Sequence, residues 1–153
     1  MRTVFGVAAV LVSGAVLGLS GCSTYGSETA SADTTKLAAT NDGAEVVLVA
    51  MHADWCGACT SLGPKVVAAA SEMDGRGVKL VKADLTDREN PAGKATLETM
   101  GLGGLYAENK GKTGLVYILD ADSGEVLGTI RGNSVTTASI VEDVSAALVR
   151  VEG

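Results

Sequence analysis

The chain has 153 residues, 46% of them apolar, and its 18 acidic and 12 basic side chains give a net charge of -6. A nucleic-acid binder needs a basic face, and this balance argues against one. Three cysteines leave one over after any single disulfide, so the odd thiol needs its own explanation.

At the N-terminus, Arg2 precedes an uncharged apolar run over residues 4–19. The run is shorter than the roughly 20 residues that span a bilayer as a helix, so it reads as the apolar region of an export signal. It ends in Leu19-Ser20-Gly21-Cys22, which resembles the bacterial lipobox. The resemblance implies cleavage before Cys22 and conversion of its thiol to a thioether-linked diacylglycerol. The alternative is an ordinary signal with a chance cysteine near its cleavage site. Lipidation accounts for the odd thiol, and loss of residues 1–21 leaves 11 basic against 18 acidic residues, a net charge of -7. Three acyl chains, which the lipoprotein resemblance implies, hold a membrane far more firmly than one, each buried methylene contributing about 0.8 kcal/mol. Ser23 rather than Asp after the cysteine implies the outer membrane in a bacterium that has one.

Residues 22–42 are expected to be the lipid anchor and a tether, because the stretch is rich in Ser, Thr and Ala and too poor in large apolar residues to form a core. About 20 such residues have a root-mean-square reach of roughly 25 Å. Residues 43–153 are then one domain, since about 110 residues suffice for one core and not two.

Within that domain the pattern predicts strand 45–51, helix 57–73, strand 78–84, a helix near 92–100, strands 114–120 and 125–131, and helix 136–150. Alternating strands and helices in the first half imply parallel pairing. In the second half, Asp120-Ala121-Asp122-Ser123-Gly124 is a short turn between apolar runs and implies an antiparallel hairpin. The last helix carries Ile140, Val144, Ala147, Leu148 and Val151 on one stripe, a face that packs on a sheet. The expected fold is α/β, a mixed four-stranded sheet with helices on both faces. Residues 101–112 are Gly-rich and read as a connection, either a plain loop or a lid over a substrate.

The chemistry concentrates in Trp55-Cys56-Gly57-Ala58-Cys59, straight after Val46-Val47-Leu48-Val49-Ala50-Met51. Two cysteines separated by two residues, where a buried strand gives way to a helix, put the first sulfur at a helix N-terminus. There the macrodipole and free N–H groups favour a thiolate. The second sulfur lies one turn later, on the same face and within reach of a disulfide with the first. With Pro64 five residues after Cys59, and Asn90-Pro91 after the next strand, the segment resembles the thioredoxin family over roughly residues 43–150. The resemblance implies a thioredoxin-like fold and a redox-active Cys56–Cys59 disulfide, with Pro64 kinking the active-site helix.

Three departures from the family pattern bear on function. The family has a cis-proline before its third core strand, facing the dithiol; this chain has Thr113-Gly114 there, where Gly114 supplies backbone freedom without a locked isomer. Ala50 stands where thioredoxins bury an aspartate that helps deprotonate the resolving thiol, and its absence is expected to slow resolution. Gly57-Ala58 replaces Gly-Pro between the cysteines, a pair that tunes redox poise in the family without fixing its sign here.

His52 and Lys82 are candidates for tuning the thiols electrostatically, against the plainer readings of a residue finishing a strand and a solvated charge. A sharper alternative for His52 joins it with Met51 and both cysteines as a soft-metal site for cuprous ion. Trp55 is read as shielding and supporting the loop, and Asp54 as a solvated acid.

Together these features predict a lipid-anchored, extracytoplasmic thiol-disulfide oxidoreductase that reduces disulfides of exported proteins. It is expected to be monomeric, to take electrons from a membrane thiol donor, and to need no cofactor or metal. The alternatives are an oxidase that donates disulfides and a non-catalytic metal-binding or interaction lipoprotein.

Overall fold

The computed structural model describes residues 43–153. The export signal, Cys22 and the tether therefore lie outside the described residues. The elements run in the order β1 Val46–His52, α1 Gly57–Glu72, β2 Val78–Asp84, α2 Ala92–Thr99, α3 Gly103–Glu108, β3 Leu115–Asp120, β4 Val126–Arg131 and α4 Thr137–Glu152. They form a four-stranded sheet in the order β2-β1-β3-β4. β1 pairs parallel with β2, while β1 with β3 and β3 with β4 pair antiparallel. This is the mixed sheet expected from the sequence.

β1 owes its central place to composition. Every residue from Val46 to Val49 is buried, as a strand covered on both faces must be. Its alternation divides the core. Val46 and Leu48 join Leu62, Val66 and Ala69 of α1 and Ile140, Val144 and Leu148 of α4 on one face. Val47, Val49 and Met51 join Leu97, Tyr106 and Leu119 on the other, under α2 and α3. A period of two thus sends neighbouring side chains into different layers.

The ends of the elements have local causes. Asp120 Oδ1 accepts from the N–H groups of Asp122 and Ser123, and Gly124 takes the left-handed backbone that closes the β3–β4 turn. Those bonds hold the Asp120 carboxyl below its ordinary pKa, the Ser123 N–H being the largest cause. α4 opens on a reciprocal cap in which the Thr136 hydroxyl accepts from the Ser139 N–H and the Ser139 hydroxyl accepts from the Thr136 N–H.

One expectation is corrected. Residues 101–112 are not a plain loop, because Gly103–Glu108 form α3. Three glycines at positions 101, 103 and 104 lower helix propensity, and tertiary burial overrides it: Leu102 and Tyr106 are buried in the same layer as Met51 and Leu97. Among the described residues, no helix is long and apolar enough to cross a membrane.

α2 approaches the sheet through Gly93, where a Cβ would fall 2.7 Å from the Ala83 carbonyl carbon and the Asp84 nitrogen, both backbone atoms. Gly93→Ala should therefore force α2 off β2 and destabilise the domain by about 1–3 kcal/mol. Gly104→Ala on α3, where a Cβ meets nothing within 4 Å, should instead add about 0.5–1 kcal/mol. Urea denaturation of the two variants checks the opposite signs.

Candidate active site

The site forms where β1 ends. Its last residues hand the chain to α1 over Ala53 to Cys56, and the Cys56 N–H donates to the Ala53 carbonyl at 3.0 Å. Cys56 caps α1, and its Sγ accepts from the Cys59 N–H at 3.1 Å. The two cysteines are joined as a disulfide with their Cα atoms 5.3 Å apart, within the ordinary range for such a bond.

The two sulfurs differ in what surrounds them. Cys56 Sγ sits at a helix N-terminus and receives an N–H, and both features favour negative charge on it once the bond is reduced. Cys59 Sγ lies 3.7 Å from the Met51 carbonyl oxygen, a partner that accepts from a thiol and offers a thiolate nothing. Both are buried, at 8% and 5% exposure. Gly57 is exposed and Ala58 half-buried between them. Pro64 lies inside α1, where its missing N–H removes one bond of the helical ladder.

Gly114 closes the site from the start of β3. Its N–H donates to the Met51 carbonyl at 3.0 Å, and its φ is +75°. A Cβ there would lie 2.8 Å from Ala58 Cβ and 3.3 Å from Cys56 Sγ. The Thr113-Gly114 pair thus lies against the dithiol, and only a glycine fits both the left-handed backbone and the gap.

A second clamp comes from the end of β2, through a residue the sequence reading did not single out. The Thr86 hydroxyl accepts from the Asp54 N–H at 3.1 Å, and the Thr86 carbonyl accepts from the Trp55 indole N–H at 2.9 Å. The Thr86 N–H donates in turn to Asp84 Oδ1 at 2.9 Å. Bonds from the Thr86 hydroxyl and N–H hold the Asp84 carboxyl below its ordinary pKa. Only the position of Thr86, two residues past a strand paired with β1, could have flagged it.

The remaining candidates separate. His52 is half-buried, and its Nε2 lies 3.2 Å from Asp54 Oδ1. Lys82 stands opposite Ala50 across the β1–β2 pair and is exposed, and its charge adds a smaller contribution to the lowering of Asp84. Met51 points into the α2 and α3 layer, away from its neighbour His52, so the cuprous-ion set proposed from sequence is not assembled. Among the described residues, no three His, Cys, Asp or Glu side chains cluster to hold a metal.

The contact at Gly114 can be separated from its backbone strain. Gly114→Ala should slow exchange of Cys56 with a small disulfide by about tenfold or more, because a methyl group would crowd the sulfur and displace α1. Gly75→Ala has the same strain at φ +73° but no atom within 4 Å of the new Cβ, so it should lose stability and keep the rate. Stopped-flow thiol release from both variants checks the difference.

The thioredoxin family profile matches residues 30–116. Protein disulfide isomerase-like 1-4 of Arabidopsis thaliana is 46% identical over 48 residues, 31% of this chain and 8% of that protein. Protein disulfide-isomerase of Aspergillus oryzae is 42% identical over 45 residues, 29% and 9% of the two chains. The chain thus spans less than a tenth of the length of these curated relatives. Among solved structures, a thioredoxin-family thiol:disulfide interchange protein from Chlorobium tepidum is 25% identical, with a TM-score of 0.47 over 68% of this chain and 80% of that one. StoA from Bacillus subtilis is 20% identical, with a TM-score of 0.49 over 68% and 84%. By its matched sequence, its mixed sheet and its Cys56–Cys59 pair, the chain belongs to the thioredoxin family.

Proposed function

We propose that this thioredoxin-family thiol-disulfide oxidoreductase works as a reductase of disulfides in exported proteins, held to a membrane by lipid on Cys22. The Cys56 thiolate attacks one sulfur of the client disulfide, forming a mixed disulfide and releasing the other client sulfur as a thiolate. Cys59 then attacks Cys56 Sγ, which frees the reduced client and leaves the Cys56–Cys59 disulfide. Trp55, Gly57, Ala58, Pro64, Thr113 and Gly114 hold that geometry. The cycle closes when a membrane thiol donor reduces the pair. The chain acts as a monomer with no resident metal or cofactor.

One observation supports the reducing direction. A strong oxidant needs a reduced form that is heavily stabilised, and the two candidate tuning groups, His52 and Lys82, face acids instead. His52 faces Asp54, and the charge of Lys82 bears on Asp84. The Cys56 thiolate is left with the helix terminus and one N–H. The oxidase reading is the alternative, supported by the names of the two relatives above, both protein disulfide isomerases.

Equilibration of the full-length protein with glutathione or dithiothreitol buffers, read by Trp55 fluorescence, gives the potential of the pair. A reductase should lie near the thioredoxin value of about -270 mV, and a value near about -120 mV would make the protein an oxidant for folding clients. Cys59→Ser should in addition accumulate covalent adducts with exported proteins through Cys56, and their absence from cell extracts would count against the assignment.

The membrane anchor rests on Arg2, the apolar run 4–19 and Leu19-Ser20-Gly21-Cys22. Cys22→Ser should abolish incorporation of labelled fatty acid and release the protein from the membrane fraction. Retention of the label in that variant would overturn the anchor.

A further inference from the structure

A cleft of about 290 Å³ opens beside the dithiol, walled by Trp55, Leu85, Arg88, Pro91, Tyr106 and Lys110. Its rim also holds Thr113, whose neighbour Gly114 lies against Cys56 Sγ. Trp55 adjoins Cys56 in the chain. The cleft therefore starts one residue from the reacting sulfur on two sides. Its volume is at the lower end for small-ligand sites, which suits one bulky side chain of a bound segment.

The lining has two chemistries. Leu85, Pro91 and Tyr106 are buried and form an apolar floor. Trp55 is 45% exposed, and its indole is fixed by the bond to the Thr86 carbonyl, so it presents a rigid aromatic wall. Arg88 stacks on that wall, its guanidinium carbon 4.2 Å from the ring centroid. Lys110, which also lines the cleft, is exposed. Among the described residues neither cation is paired with a carboxylate. Asp87 also lines the cleft, and its carboxylate accepts the N–H groups of Glu89 and Asn90. On a chain with net charge -6, two cations against the one carboxylate of Asp87 around an apolar slot are a local reversal of sign.

We propose that this cleft selects clients, taking a segment in which the attacked cysteine is followed by a bulky apolar residue and then an acidic one. The apolar side chain fills the slot between Trp55 and Tyr106, and the carboxylate meets Arg88 and Lys110. This inference rests on the exchange chemistry of Cys56 proposed above and holds for either direction of net electron flow.

The test uses full-length Cys59→Ser in mild detergent, reduced and freed of reductant. Its Cys56 thiolate attacks a short peptide whose cysteine is capped by 2-mercaptoethanol. The capping bond breaks, a Cys56–peptide disulfide forms, and 2-mercaptoethanol leaves as its thiolate. Mass spectrometry follows the adduct for peptides reading Cys-Phe-Glu, Cys-Phe-Lys and Cys-Ser-Glu. Cys-Phe-Glu should react about three- to tenfold faster than Cys-Phe-Lys, the scale of two exposed charge pairs, with the ratio shrinking as salt rises. It should also outpace Cys-Ser-Glu. Arg88→Glu with Lys110→Glu should invert the preference between Glu and Lys, a result that misfolding cannot imitate.

Equal rates for the three peptides, or an unaltered preference in the charge-reversed variant, would overturn the cleft as a selector. Bis(2-hydroxyethyl) disulfide, neutral and too small to fill the slot, separates this from a failure of the chemistry. Normal reaction with it alongside indifferent peptides removes only the selection. No adduct with any disulfide removes the exchange reading and the selection together.

Discussion

The structure turns on the change from a buried strand to a helix within four residues, Ala53 to Cys56. β1 is covered on both faces, so its direction is fixed by packing, and α1 starts at Gly57 with no room for a loop to drift. That rigidity puts the first free N–H groups of α1 beside Cys56 Sγ. The helix needs a cap in any case, and here the cap is the sulfur itself. A structural need and a chemical asset coincide in one atom.

Two other chain ends make that placement precise. Thr86, past the end of β2, receives Asp54 and Trp55 together, and Gly114, before β3, reaches back to the Met51 carbonyl. Both strands flank β1 in the sheet. Sheet register therefore transmits directly to the active-site loop: a slip of β2 would carry off the Thr86 clamp, and a slip of β3 would move Gly114 from the sulfur. The strand order β2-β1-β3 in the sheet, which no local stretch encodes, is what brings the three together.

The contrast between what was and was not legible in the sequence follows from this. Trp55, Cys56 and Cys59 are contiguous, and the runs of β1 and β3 are apolar enough to announce buried strands, so fold class, element order and dithiol were readable. Gly114 was readable as an anomaly of position against a family pattern. α3 was not, because a helix with Gly103 and Gly104 near its start forms only by burying Leu102 and Tyr106, a tertiary gain invisible in propensity. Thr86 and Arg88 were missed for a related reason. Each acts on residues more than thirty positions away in the chain, and neither type is distinctive on its own.

Ala50 shows how a single missing group redistributes charge. Its side chain lies on the α1 side of the sheet, opposite Lys82 across the β1–β2 pair. With no acid at 50, Lys82 gains nothing by turning inward, and a buried unpaired ammonium would be costly. It stays exposed and bears on Asp84, one turn of the pleat along. Asp84 is also opposite His52 and bonded to Thr86. The negative charge here thus sits on half-buried Asp84 at the end of β2, bracing the loop through Thr86. In this chain polar groups support the shape of the site, while Cys59 packs with Ala53 and Ala58 and its sulfur lies 3.7 Å from the Met51 carbonyl. Under the exchange proposed above, resolution by Cys59 has no acid at position 50 to assist it, and the mixed disulfide on Cys56 is expected to be correspondingly long-lived.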